Sequence, residues 1–125
     1  MSLLGHRRVP LGRRGEDIAT RRLRRQGYKI LGRNVHLGRY EVDIIARKGD
    51  TTAFVEVKTR RSDDFARPED NVRAEKRRHI RTAARIYVDR EDDPDTYYRF
   101  DVAAVLIPEH GKPAVTYYEN AFPDV

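Results

Sequence analysis

Apolar residues recur along this chain in two rhythms, and the switches between them mark out its elements. From Leu11 to Gln26 a helical period sets Leu11, Gly15, Ile18, Ala19 and Leu23 on one stripe and Asp17, Arg21, Arg24 and Arg25 opposite it. This predicts an amphipathic helix stopped by Gly27. Tyr28 to Val35 reads as a strand ending near the Gly38 turn. Tyr40–Ala46 and Thr52–Lys58 then alternate on either side of Lys48-Gly49-Asp50, the pattern of a hairpin. Pro68-Glu69-Asp70 opens a second helix over 69–88, with Val72, Ile80, Ala83, Ala84 and Tyr87 as its stripe. The acidic, proline-bearing run Asp89 to Asp95 ends it and is expected to be exposed. Arg99–Ile107 and Ala114–Glu119 read as two last strands around Gly111-Lys112-Pro113.

The order is therefore α-β-β-β-α-β-β. Each helix has one apolar stripe and a sheet has two faces, so the economical α/β fold is a central mixed β-sheet flanked by two helices. The connection from the 52–58 strand through the second helix is long enough for a parallel pairing. Residues 1–10 read as a flexible N-terminal segment and 11–125 as a single domain, which a chain of 125 residues can support.

Composition narrows the chemistry. Cysteine is absent, which excludes disulfide frameworks, thiolate nucleophiles and cysteine-based zinc modules. No run approaches the ~20 apolar residues of a membrane span, and the first residues lack a signal peptide's apolar stretch, so the expectation is a cytoplasmic protein. A net charge of +6, with arginine supplying 21 of the 26 positive side chains, favours a polyanionic partner gripped through phosphate oxygens. His6, His36, His79 and His110 show no zinc spacing, and the tyrosines present no readable stacking platform.

The hairpin carries the candidate site. Strict alternation points Glu41, Asp43 and Ile45 one way and Tyr40, Val42 and Ile44 the other; on the second strand Phe54, Glu56 and Lys58 share a face. One register sets Ile45 opposite Phe54, Asp43 opposite Glu56 and Glu41 opposite Lys58. Two like charges ~4 Å apart repel by about 1 kcal/mol in water and about 4 kcal/mol at an effective dielectric of 20, so the Asp43–Glu56 pair calls for compensation. Mg²⁺ or Mn²⁺ would supply it, with Asp43, Glu56 and the backbone carbonyl of Val57 as ligands. Lys58 is the candidate catalytic lysine, placed to orient a water or to neutralise charge on a phosphate. Glu16 borders the first helix's stripe and can face the sheet, unless it is simply a first-turn glutamate favoured by the helix dipole.

Leu11-Gly-Arg-Arg-Gly-Glu-Asp-Ile-Ala19, Gly27-Tyr28, Arg33-Asn34, Glu41-Val-Asp-Ile-Ile-Ala46, Phe54-Val-Glu-Val-Lys-Thr-Arg60, Lys76 and Phe100-Asp-Val102 together resemble the YraN-like bacterial family of candidate endonucleases. The resemblance covers about residues 11 to 119. It implies a restriction-endonuclease-like fold, distantly similar to archaeal Holliday-junction resolvases, with metal-ligand roles for Asp43 and Glu56, the catalytic lysine at Lys58 and an accessory acid at Glu16. Tyr40 stands where that family usually has glycine, a departure that bears on substrate approach.

Arg13, Arg14, Arg60, Arg61, Arg73 and Arg77 could line one phosphate track around the site. Lys76, inside the second helix's apolar stripe, either snorkels to water or meets phosphate or Asp101; for Asp101 the simpler expectation is an ion pair or a turn-anchoring hydrogen bond. The leading expectation is a metal-dependent nuclease acting on DNA in preference to RNA, selective for shape rather than base order, with a dimer conceivable. A non-catalytic nucleic-acid-binding module on the same fold, or an adaptor docking acidic protein surfaces, are the alternatives.

Overall fold

The computed structural model describes residues 9–61 and 74–122. Its elements run α1 (Leu11–Arg25), β1 (Lys29–Leu37), β2 (Tyr40–Lys48), β3 (Thr51–Arg60), α2 (Ala74–Glu91), β4 (Tyr97–Leu106) and β5 (Ala114–Tyr118). The end of α1 follows from Gly27, whose φ of +92° continues the chain in the left-handed region open to glycine. The Gly27 N–H donates to the Arg24 carbonyl and the Tyr28 N–H to that of Leu23, which satisfies two orphan carbonyls while Tyr28 and Leu23 pack together in the core.

The five strands pair in chain order: β1 to β2, β2 to β3 and β4 to β5 antiparallel, β3 to β4 parallel. Two-residue turns at Gly38–Arg39 and Gly49–Asp50 join the first three strands, each with its glycine at positive φ. One core layer joins Ala19 and Leu23 of α1 to Ile44, Ala46, Ala53, Val55, Ala103 and Val105. The other joins Ile80, Ala83 and Ala84 of α2 to Leu37, Val42, Ile45, Phe54 and Val102. The helices thus cover opposite faces of a mixed sheet, the α/β arrangement of the restriction-endonuclease-like expectation.

Several element ends differ from the sequence reading by one to three residues, among them β2, which runs on to Lys48, and β3, which spans Thr51–Arg60. β1 continues to Leu37, because its outer residues alternate through the hairpin turn. β4 begins at Tyr97. α2 continues past residue 88 to Glu91, since acidic side chains do not break a helix; Asp92, at φ +48°, closes it just before Pro94. The Pro68-Glu69-Asp70 start, Val72 and most of the N-terminal segment lie outside the described residues.

Strict alternation fails in β2. Ile44 packs on the α1 side, but Val42 joins Ile45 on the α2 side, so the chain changes phase across Asp43. The β2–β3 ladder has the expected register from Lys48↔Thr51 through Ile45↔Phe54 and runs to Ile44↔Val55. Beyond it the two strands diverge in role: β3 continues along β4 while β2 follows β1.

Candidate active site

Where the β2–β3 ladder ends, Asp43 Oδ2 accepts the Val57 N–H at 2.8 Å. The broken phase of β2 makes this possible, because the side chain reaches along the sheet instead of standing off one face. Glu56, one residue before Val57, sits on the α2 side with Phe54 and is 7% exposed. The two carboxyls stand close enough that each perturbs the other. Burial, followed by the charge of Asp43, pushes Glu56 up to about 7. Burial also raises Asp43, against the pull of the Val57 N–H.

The cations answer this pair unequally. Lys76 Nζ lies 3.7 Å from Glu56 Oε1, reaching down from the first turn of α2. The alternative partner is taken: Asp101, fully buried, binds Arg99, the Tyr117 hydroxyl and the Asn120 N–H, combining the ion pair and the turn anchor expected of it. Lys58 acts on Glu56 by charge from two residues along β3. It makes no ion pair with Glu41 among the described residues, because the ladder that would have set them opposite one another stops at Ile44. Glu41 instead adds negative charge beside Asp43.

Glu16 approaches from α1. It lies beyond the helix's first turn, so the dipole does not account for it. Its Oε1 accepts from Asn34 Nδ2 at 2.9 Å and lies 3.7 Å from Arg33, while burial and the nearby Asp43 raise its pKa. Asn34 reaches it from a left-handed backbone position at φ +50°, one that asparagine tolerates. Asp17 is less outward than the helical wheel implies, since Arg33 donates to it at 2.7 Å.

Four acids, Glu16, Glu41, Asp43 and Glu56, therefore interact around one end of the hairpin, with Lys58 and Lys76 alongside. Among the described residues no three acidic or histidine side chains form a metal cage unaided. Asp43 and Glu56 are the close pair, and the Val57 carbonyl leaves β3 by the same edge as its N–H, toward Asp43. Two carboxylates and a backbone oxygen suit a hard divalent cation that keeps several waters.

The arginines divide. Arg14 and Arg61 line one cleft of about 740 Å³ with Val9, Asp17 and Glu109. Arg13 is exposed on the same helix, and Arg60 ends β3 with its carbonyl taking the Ile107 N–H. Arg77 is on α2, its guanidinium 5.4 Å from the centre of the Phe122 ring. Arg73 lies outside the described residues. The sequence reading had no signal for Arg33 and Asn34 as holders of Glu16, nor for the stacking of Tyr40 on His79, because both join elements far apart in sequence.

Residues 15–105, which contain all of these acids and both lysines, match the family model described as "Uncharacterised protein family UPF0102". The chain belongs to the UPF0102 family. A UPF0102 protein of Solibacter usitatus is 45% identical over 123 residues, covering 95% of this chain and 92% of its own. One from Caldicellulosiruptor saccharolyticus is 45% identical over 97 residues, covering 78% of this chain and 82% of its own. A third, from Nocardia farcinica, is 41% identical over 112 residues, covering 90% and 88%. These matches agree with the YraN-like resemblance, and they attach no activity to it. No helix among the described residues is long and apolar enough to cross a membrane.

Proposed function

We propose that this UPF0102 protein is a metal-dependent nuclease that hydrolyses phosphodiester bonds in DNA, selecting its substrate by shape. The observation that supports this reading is the Asp43–Glu56 pair: a half-buried and a buried carboxyl close enough to perturb one another, both held above their ordinary pKa, at the end of a hairpin that also carries Lys58. Lys76, 3.7 Å from Glu56, acts by charge on both carboxyls, yet burial still holds them above their ordinary range, an ionisation cost that a divalent ion would relieve.

Asp43, Glu56 and the Val57 carbonyl would hold Mg²⁺ or Mn²⁺, which supplies Lewis-acid polarisation of a phosphoryl oxygen and neutralisation of its charge. The Val57 N–H fixes the carboxyl of Asp43, and Lys76 holds that of Glu56. Lys58 places positive charge where an attacked phosphate accumulates negative charge. Glu16, steadied by Asn34, is an accessory acid whose raised pKa makes it a better proton acceptor than a free glutamate. Arg14 and Arg61 would take a flanking phosphate in their cleft.

The test is a panel of linear duplex, single-stranded, flap and four-way-junction DNA, each with Mg²⁺ and Mn²⁺. Wild type should cleave at least one substrate, and Lys58→Ala and Asp43→Asn should lower the rate by about 10²–10³ while the circular dichroism spectrum is unchanged. Equal cleavage by wild type and Lys58→Ala would falsify the assignment. Salt-sensitive DNA binding that survives both substitutions, with no cleavage by wild type, would replace it with a non-catalytic binding module.

A further inference from the structure

A second cluster stands beside the carboxylates on the α2 side of the sheet, at the tip of the β1–β2 hairpin. Tyr40 follows the Gly38–Arg39 turn, and its ring stacks on the His79 imidazole with centroids 4.6 Å apart and planes inclined by 23°. The Arg39 guanidinium carbon is 5.7 Å from the centre of the same tyrosine ring. Gly38 seats this tip: its φ is +65°, and a Cβ there would come within 3.2 Å of Ile86 Cδ1 on α2.

Both rings are close to the candidate site. His79 lies one helical turn beyond Lys76, whose Nζ is 3.7 Å from Glu56. Tyr40 is three residues before Asp43 on β2, about 10 Å along the strand. Neither ring is part of the closed core. Tyr40 is half-buried at the edge of the α2-side layer, and the His79 side chain is 40% exposed, with Glu75 3.8 Å from its Nε2. An aromatic pair and a guanidinium at the surface, beside a site read as handling phosphates, match what holds an unpaired base: a π-face to stack on and a cation near it.

We infer that Tyr40 and His79, with Arg39, form a subsite for an unpaired nucleobase next to the bond that is cut, so that the protein prefers DNA at a boundary between single and double strand. This rests on the nuclease reading above and names its substrate class. In closed duplex every base face is covered by its neighbours. At a fork, flap or frayed end a base can be surrendered at small cost, and stacking on the half-exposed His79 end of the ring pair repays it. If the rings only fastened the hairpin tip to α2, their removal would lower stability and leave substrate preference unchanged.

The experiment is equilibrium binding of the full chain in EDTA, by fluorescence anisotropy, to a forked duplex and to a blunt duplex of equal length, with thermal melts alongside. Wild type should prefer the fork by about five- to tenfold, the low end of what one stacked base can supply once the cost of unstacking it is met. Tyr40→Ala and His79→Ala should bring that ratio near unity, and Tyr40→Phe, which keeps the ring, should retain it. His79→Ala, a change on a half-exposed helical position, carries the test if Tyr40→Ala melts too early. Equal binding of both DNAs by wild type, or a preference that persists in both alanine variants, overturns the inference and leaves the nuclease reading standing. Failure to bind either DNA at low salt overturns both.

Discussion

Glu56 shows how a single residue can set conditions for the whole chain. Its pKa of about 7, against an ordinary 4.5, means that the folded state holds a proton the unfolded chain releases. The sign follows: with the folded value raised, stability declines as pH climbs from about 4.5 to about 7 and levels off above it. The full span corresponds to up to ~3 kcal/mol at 1.36 kcal/mol per pKa step. In metal-free protein, Glu56→Gln should raise the urea midpoint at pH 8 and leave it nearly unchanged at pH 4; a wild-type profile that stays flat between those values would exclude this ionisation cost. That Asp43 and Glu56 come close was expected from the sequence, but the period-two register given for it stops at Ile44↔Val55, and the two carboxyls meet beyond the ladder. Asp43's bond to Val57 was not expected, because alternation assigns a side chain to a face and cannot show it reaching along the sheet.

At the scale of elements, α1 depends on close approach to β3. A Cβ on Gly15 would fall 1.9 Å from Thr59 Oγ1 and 2.9 Å from its Cβ, so the glycine is where helix and strand touch. Gly15→Ala should therefore destabilise the protein by about 1–3 kcal/mol despite alanine's better helix propensity. Thr59→Ala, which removes the nearer atom, should recover part of that loss in the double variant. Denaturant melts of the four proteins measure the coupling, and additive effects would show that the two residues do not meet. The sequence placed Gly15 on the buried stripe and Gly27 at the helix end, both from local pattern. It also extended the hairpin register correctly to Ile45 and Phe54. It did not single out Glu56 as the acid beside Lys76, a neighbour fixed only once α2 had packed on the sheet.

For the whole molecule, the sheet order makes β3 central, hydrogen-bonded to β2 on one side and β4 on the other, while β1 and β5 are edges. Residues Ala53–Glu56 and Val102–Val105 are buried throughout, whereas no residue of β5 is buried. Amide hydrogen exchange should accordingly be slowest in β3 and β4 and markedly faster in β5. Comparable protection in β5 would mean that its edge is covered by something more than β4.

Element order, the two-sided packing of the sheet and the types of residue in the site were written in the sequence, because periodicity and turn chemistry act over a few neighbouring residues. The tertiary structure decided the phase change at Asp43, the attachment of Glu16 to Asn34, the choice of Glu56 by Lys76 and the meeting of Tyr40 with His79. Each of these joins residues from different elements. Their partners are fixed by how helices and strands pack in three dimensions, which no local pattern encodes.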